Sequence, residues 1–251
     1  MIDHVVHVHP SSARLPREAQ LAWKLAEVAT HTRNVDDDVA SMTANRLIDN
    51  AAVAVASLGR APVLAARAQA LAHPRPGGAT LFGHGPEVTV HAEWAAWANA
   101  VAVRELDFHD TFLAADYAHP ADAISPLLAV AQQTGRCGAE LVRGIDAAYE
   151  VHVALVKGIC LHCHKIDHMA HLTPAVAAGL AAMLDLDTPT TFQAINQAVH
   201  VAFSTRQSRK GEISSWKAYV PGHAALLAVT AVDRAMRGEA APSPIYEGED
   251  S

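Results

Sequence analysis

The sequence predicts an all-α protein, and three observations carry that prediction. Hydrophobic residues fill 51% of the 251 positions while aromatics fill only 5%, so the apolar content is mostly alanine, leucine and valine, a helix-forming mixture. These residues recur at spacings of three and four. Few segments alternate with a two-residue period, and no short repeat is apparent, so neither a large sheet nor a solenoid is indicated. A chain of this length has ample surface to bury in a layered helical core.

The elements follow in order. Pro16 opens a segment whose Leu21, Leu25 and Val28 share helical spacing. Asp36, Asp37 and Asp38 place acid in the first turn of a second helix, where it complements the helix dipole, and that helix runs through Leu47, Ile48 and Val55 towards Gly59. Pro62 begins a third helix, ending near His73-Pro74. Arg75 to Glu87 is rich in Gly and Pro and reads as a loop with a short strand at Ala79 to Phe82. Helical pattern resumes at Ala92 to Arg104, Pro120 to Gln133, and Ala139 to His162. It continues at Pro174 to Leu184, Thr191 to Phe203 and Gly222 to Met236. After Arg237 the polar stretch GEAAPSPIYEGEDS reads as a linker that packs against nothing.

Composition limits the function classes. Nineteen Lys and Arg against 26 Asp and Glu leave a net charge of −7, so the chain has no basic field for a nucleic-acid backbone. Three cysteines make no disulfide framework and suit a reducing compartment. The start, MIDHVVHVHPSS, lacks the apolar stretch of a signal peptide, and the longest apolar stretches are amphipathic or broken by charge. The expectation is a cytoplasmic protein without a nucleic-acid or membrane partner.

The 16 histidines invite chemistry, because imidazole titrates near neutrality and binds metals. Three segments concentrate the polar groups. In RELDFHDTFLAADYAHPADAIS, Asp107 and Thr111 would share one face if the segment were helical. His119 precedes Pro120, which drives it out of helix and sets it at the start of the next one, where free N–H groups attract anions. A solvated loop would hold the same residues. In CLHCHKIDHMAH, Cys160 and Cys163 with His162, His164, His168 and His171 resemble half a zinc site, yet the downstream chain offers no further cysteine. The other outcome is a helix end in which one histidine, His168 beside Asp167, faces a cleft. In STRQSRKGEISSWKAYVPGHAA, Arg206, Arg209, Lys210 and Lys217 gather positive charge in an acidic chain. Arginine supplies bidentate contacts and lysine a point charge, so the loop suits a polycarboxylate. No nucleophile elbow, P-loop or dinucleotide fingerprint is present.

Long stretches carry a resemblance: RLIDNAAVAVASLGRAPV, WANAVAVRELDFHDTFLAADYAHPADAISPL, HKIDHMAHLTPAVAAG, and STRQSRKGEISSWKAYVPGHAALLAVTAVDRAMRGEAAPSPIYEGED. The sequence resembles the MmgE/PrpD family, and within it the members that dehydrate 2-methylcitrate in propionate catabolism. The resemblance implies a helical domain over 1–238, a linker over 239–251, and a smaller α+β lid domain that this chain lacks. It places the family's catalytic positions on Asp107, His119, His168 and Lys217, with His171 a weaker match than His168, and a substrate contact on Thr111. The basic-loop residues Arg206, Arg209 and Lys210 join Thr111 as expected contacts to a tricarboxylate. The resemblance further implies a homodimer, no cofactor and no metal cluster. The alternatives are a related cis-aconitate decarboxylase and a non-catalytic metal-binding helical module around Cys160, Cys163 and His164.

Overall fold

A computed structural model describes residues 3–31 and 34–250. Among them are nine α-helices: α1 (Leu21–Thr30), α2 (Asp37–Ser57), α3 (Ala61–Leu71), α4 (Ala92–Glu105), α5 (Ile124–Thr134), α6 (Gly138–Gly158), α7 (Met169–Leu184), α8 (Thr188–Val201) and α9 (Trp216–Met236). Two small antiparallel hairpins interrupt them. One pairs β1 (Pro74–Thr80) with β2 (Thr89–Val90), and the other pairs β3 (Phe112–Leu113) with β4 (Tyr117–Ala118). No single described helix is long and apolar enough to cross a membrane.

Alanine sets the packing. Helix α7 is buried along nearly its whole length, and α4 buries almost every residue from Ala95 to Arg104. Small side chains let helix axes approach closely, and the tightest approach is between α6 and α7. A Cβ on Gly179 would lie 2.6 Å from the Gly144 carbonyl oxygen and 2.7 Å from the Ala148 Cβ. The larger core cluster runs through α4, α5, α7 and α9, and a second, around Leu25, Val151, Leu155, Phe192 and Ile195, joins α1, α6 and α8. The first hairpin is fastened to α4 and α5 by side-chain amides: Asn99 accepts from the Phe82 N–H and donates to the Thr80 carbonyl, and Gln132 accepts from the Thr80 N–H.

Helix order follows the sequence pattern, but α7 and α9 begin at Met169 and Trp216, ahead of Pro174 and Gly222, α6 stops at Gly158, short of His162, and three further differences stand out. The strand lies at Pro74–Thr80 rather than Ala79–Phe82, because Ala79 and Thr80 pair with Val90 and Thr89. The segment holding Asp107 and Thr111 is not helical: α4 stops at Glu105, Asp107 turns left-handed with φ 59°, and the chain enters the β3–β4 hairpin. The stretch after Arg237 does pack. Gln197 donates to the Glu239 carbonyl, the Glu247 carboxylate caps the Leu21 N–H at 2.7 Å, and Glu247 is itself buried. Carbonyl and carboxylate acceptors in that tail satisfy donors at the start of α1 and along α8, which the composition of the tail does not reveal.

The α6–α7 contact gives a stability prediction. Gly179→Ala forces a methyl into the Gly144 backbone and should cost about 1–3 kcal/mol, lowering Tm by about 2–4 °C for each kcal/mol. Thermal unfolding of the variant at the wild-type midpoint would contradict this close approach.

Candidate active site

The polar residues converge where the loop after α4, the β3–β4 hairpin, the N-terminus of α7 and the N-terminus of α9 meet. Each arrives for a local reason. Asp107 lies just beyond the end of α4 in the left-handed region, a conformation that Asp tolerates better than most side chains. His119 is extended, with φ −121° and ψ 87°, because Pro120 follows it and opens a 3-10 turn (Pro120–Ala123) that leads into α5. Lys217 lies in the first turn of α9. His168 is the residue before α7 begins.

These four groups meet as follows. The Lys217 ammonium donates to Asp107 Oδ2 at 2.7 Å, and Asp107 Oδ1 lies 3.3 Å from Arg104 Nε and 3.9 Å from His119 Nε2. His119 Nδ1 must carry its proton, because it donates to the Asp110 carbonyl at 2.7 Å. Its Nε2 therefore turns a lone pair towards Asp107. Thr111 Oγ1 stands 3.3 Å from His119 Nδ1. The His168 ring lies 5.7 Å from that of His119. Arg209 Nη2, which can only donate, approaches His168 Nε2 at 3.3 Å, so the proton of neutral His168 resides on Nδ1, a buried atom with no partner.

Burial governs the charge states. It pushes the His119 imidazole down to about 4, with the Arg104 guanidinium adding to the effect. It pushes His168 well below its ordinary value against the pull of Asp167, so both rings are neutral at pH 7. Burial alone would raise the Asp107 carboxyl, but Arg104 and Lys217 outweigh it and hold the group ionised. The same contest keeps Asp167 at about 2: burial would raise it, but the Arg209 guanidinium and the hydrogen bonds from Arg209 and Ser208 overcome that.

A supporting layer was not legible as such in the sequence. Asp122, only 1% exposed, accepts from His109 Nε2 at 2.8 Å and faces Arg104 Nη1 at 3.4 Å. Asp110 accepts from the Ala121 N–H and the Tyr149 hydroxyl, which fixes the carbonyl that orients His119. Asp116 accepts from the Leu161 N–H and bonds His162, whose ring stacks on Tyr117 at 4.2 Å. The one available signal was a charged residue inside an apolar run, as with Arg104 after AWANAVAV and Asp122 within PADAIS.

The basic loop divides. Arg206 donates to the Tyr117 hydroxyl at 2.6 Å and lies over that ring, beside His168. The guanidinium of Arg209 is taken up by Asp167 and by the Lys217 carbonyl, and its side chain is only 8% exposed. It therefore acts as a fastener between α7 and α9 rather than as an open anion contact. Lys210 is exposed, and its recorded hydrogen bonds are those of its backbone. A cavity of about 540 Å³ lies elsewhere, between the segment around Pro10 to Arg17 and Pro242 to Asp250.

Two groups of side chains have the composition of a metal site. Asp107, His109 and His119 each offer a ligand atom within 4.8 Å of the others. The cations of Arg104 and Lys217 already occupy that carboxylate, so the local field opposes a divalent ion. The sulfurs of Cys160 and Cys163 are 3.3 Å apart, but among the described residues no third ligand joins them in such a group. The cysteine module thus has only half a coordination sphere here.

The fold and site define a helical domain in which paired neutral histidines lie beside a lysine–carboxylate pair. The chain belongs to the MmgE/PrpD family: the family's N-terminal domain matches residues 19–251. The chain is 30% identical over 149 residues to the mitochondrial 2-methylcitrate dehydratase of Yarrowia lipolytica, covering 55% of this chain and 29% of that protein. It is 27% identical over 156 residues to the 2-methylcitrate dehydratase of Salmonella typhi, covering 58% and 32%. It is 26% identical over 140 residues to the probable 2-methylcitrate dehydratase of Saccharomyces cerevisiae, covering 49% and 27%. The matched region thus spans about a third or less of each relative.

Two outcomes test this electrostatic account. Asp122→Asn removes the negative partner of a buried guanidinium and should cost about 3–5 kcal/mol in denaturant unfolding. The second concerns pH. His119 and His152, the latter held down to about 3 by burial with both ring nitrogens unpartnered, accept protons only after unfolding over most of the range below pH 6.5. The unfolded state then binds more protons, so stability falls as pH drops from about 6.5 towards 4. His152→Leu should lessen that slope by up to about 1.4 kcal/mol per pH unit. An unchanged slope between pH 6 and 4.5 would mean that His152 is not neutral in the folded protein.

Proposed function

We propose that this domain carries the acid–base residues of a hydro-lyase that dehydrates 2-methylcitrate or a close tricarboxylate. One observation supports this reading above the rest: a neutral imidazole lone pair and a lysine ammonium each lie within about 4 Å of one carboxylate, with a second neutral imidazole beside the first. Dehydration next to a carboxylate needs a base for the carbon-bound proton, an acid for the leaving hydroxyl, and a cation for the enolate-like charge. His119 Nε2 supplies the base, with Asp107 beside it to stabilise the imidazolium that forms. The imidazolium so formed at His119 returns the proton to the departing hydroxyl, and His168 is the second imidazole beside it. Lys217 supplies the charge, and Thr111 and Arg206 hold carboxylates. The names of the relatives support the same reaction class.

The reading includes completion of the site by a further domain and by dimerisation. The Asp107 and Lys217 side chains remain 33% and 37% exposed, and Phe108, Leu113, Ile213 and Trp216 are exposed in the same two segments of the chain. Acid–base chemistry on an enolate-like species is favoured where water is excluded.

The test is turnover of 2-methylcitrate by the complete natural protein, followed through the ultraviolet absorbance of the conjugated product, with cis-aconitate as the competing substrate. Dehydration is the expected result, and itaconate formed from cis-aconitate would replace it with a decarboxylase. Lys217→Ala should lower turnover about 10²–10³-fold while changing stability by about 1 kcal/mol or less. Turnover within threefold of wild type would remove Lys217 from the chemistry. The 251-residue chain alone should show helical circular dichroism and negligible turnover.

A further inference from the structure

We propose that Cys160 and Cys163 form a reversible dithiol–disulfide site that exchanges with low-molecular-weight disulfides. The pair belongs to a C-x-x-C turn that the acid–base chemistry does not use. Helix α6 ends at Gly158, and the chain then tightens into a single 3-10 turn, Leu161–His164. That turn brings the two sulfurs to 3.3 Å, so about 1.2 Å of closure separates them from a covalent bond. Cys163 is exposed and Cys160 half-buried, so a small disulfide can reach them. The third cysteine cannot interfere within the molecule. Cys137 caps the opposite end of α6, a 21-residue helix, roughly 30 Å away.

The chemistry balances without a cofactor. Cys163 donates its S–H to the Cys160 sulfur, an arrangement that favours Cys160 as the attacking thiolate. Cys160 attacks one sulfur of an external disulfide, RSSR, and RS⁻ leaves. Cys163 then attacks the Cys160 sulfur of the mixed disulfide, and the second RS⁻ leaves. Two protein thiols are oxidised to one disulfide, the external disulfide is reduced to two RSH, and the two thiol protons go to the released thiolates. The turn so closed contains His162, which bonds Asp116 and stacks on Tyr117, the residue that receives Arg206. The redox site therefore adjoins the layer that supports the candidate active site, although its existence does not depend on what that site catalyses.

The test uses the full chain carrying Cys137→Ser, equilibrated in excess glutathione disulfide, quenched with an alkylating reagent and weighed intact. The expected product has lost two hydrogen masses, takes up no alkyl group, and returns to two alkylatable thiols in dithiothreitol. Adding Cys163→Ser should convert that product into a stable mixed disulfide of glutathione at Cys160. Two thiols that stay alkylatable overturn the proposal, as does glutathione on each cysteine without an internal bond. Stoichiometric zinc that co-purifies on the pair and blocks oxidation overturns it also.

Discussion

The buried charge of Asp122 is the constraint from which the site is built. A carboxylate 1% exposed within an alanine-rich core cannot remain ionised alone, because burial strongly disfavours the charged form. His109 and Arg104 outweigh that cost and hold the group well below its ordinary pKa. Arg104 is supplied by the last turn of α4, and His109 by the loop after it. Satisfying Asp122 thus fixes both ends of the stretch that holds Asp107, whose left-handed backbone is the bend between them. The His109 ring then stacks on His119 at 4.9 Å. One buried charge sets the positions of three side chains that face the site.

A second chain of cause begins with proline. Pro221 lies inside α9 and has no N–H to donate to the carbonyl four residues earlier. That carbonyl belongs to Lys217, and Arg209 Nη1 takes it at 3.0 Å. The same guanidinium holds Asp167 and touches His168. A missing backbone donor in one helix therefore becomes the fastener that aligns the N-termini of α7 and α9. The Lys217 backbone and the His168 ring are both held by this one guanidinium.

Much of the fold was readable because alanine-rich helical periodicity is local. The His119-Pro120 step was readable for the same reason, since proline restricts its neighbour whatever the tertiary context. Asp107 and Thr111 were not placeable by periodicity, because the left-handed turn at Asp107 answers to Arg104 and Lys217, the latter 110 positions away. Arg209 looked like an anion contact by charge alone. Its real partners, Asp167 and the carbonyl freed by Pro221, required the packing of α7 against α9. The tail after Arg237 misled in the opposite direction: its polar composition suggested solvent, yet Glu247 is buried because its carboxylate meets the free N–H of Leu21. Composition reports solubility, whereas burial follows from where unpaired donors happen to lie.

The ion pairs around the site differ in what it costs to break them, and that difference assigns mobility. Arg104–Asp122 and Arg209–Asp167 are buried, so withdrawing either cation would strand a charge in a poor solvent for it. Lys217–Asp107 is about one-third exposed on both sides, where water screens the attraction and either partner can be resolvated. Lys217 is therefore the cation among these three that an incoming carboxylate can recruit cheaply. Recruiting it would leave Asp107 with Arg104 and beside His119, and a carboxylate next to imidazole favours the protonated ring. Anion binding at Lys217 would in this way strengthen the base at His119. Under the proposed function, the most exposed ion pair in the site would couple the charge of a bound carboxylate to proton affinity, while the two buried pairs hold the frame around it.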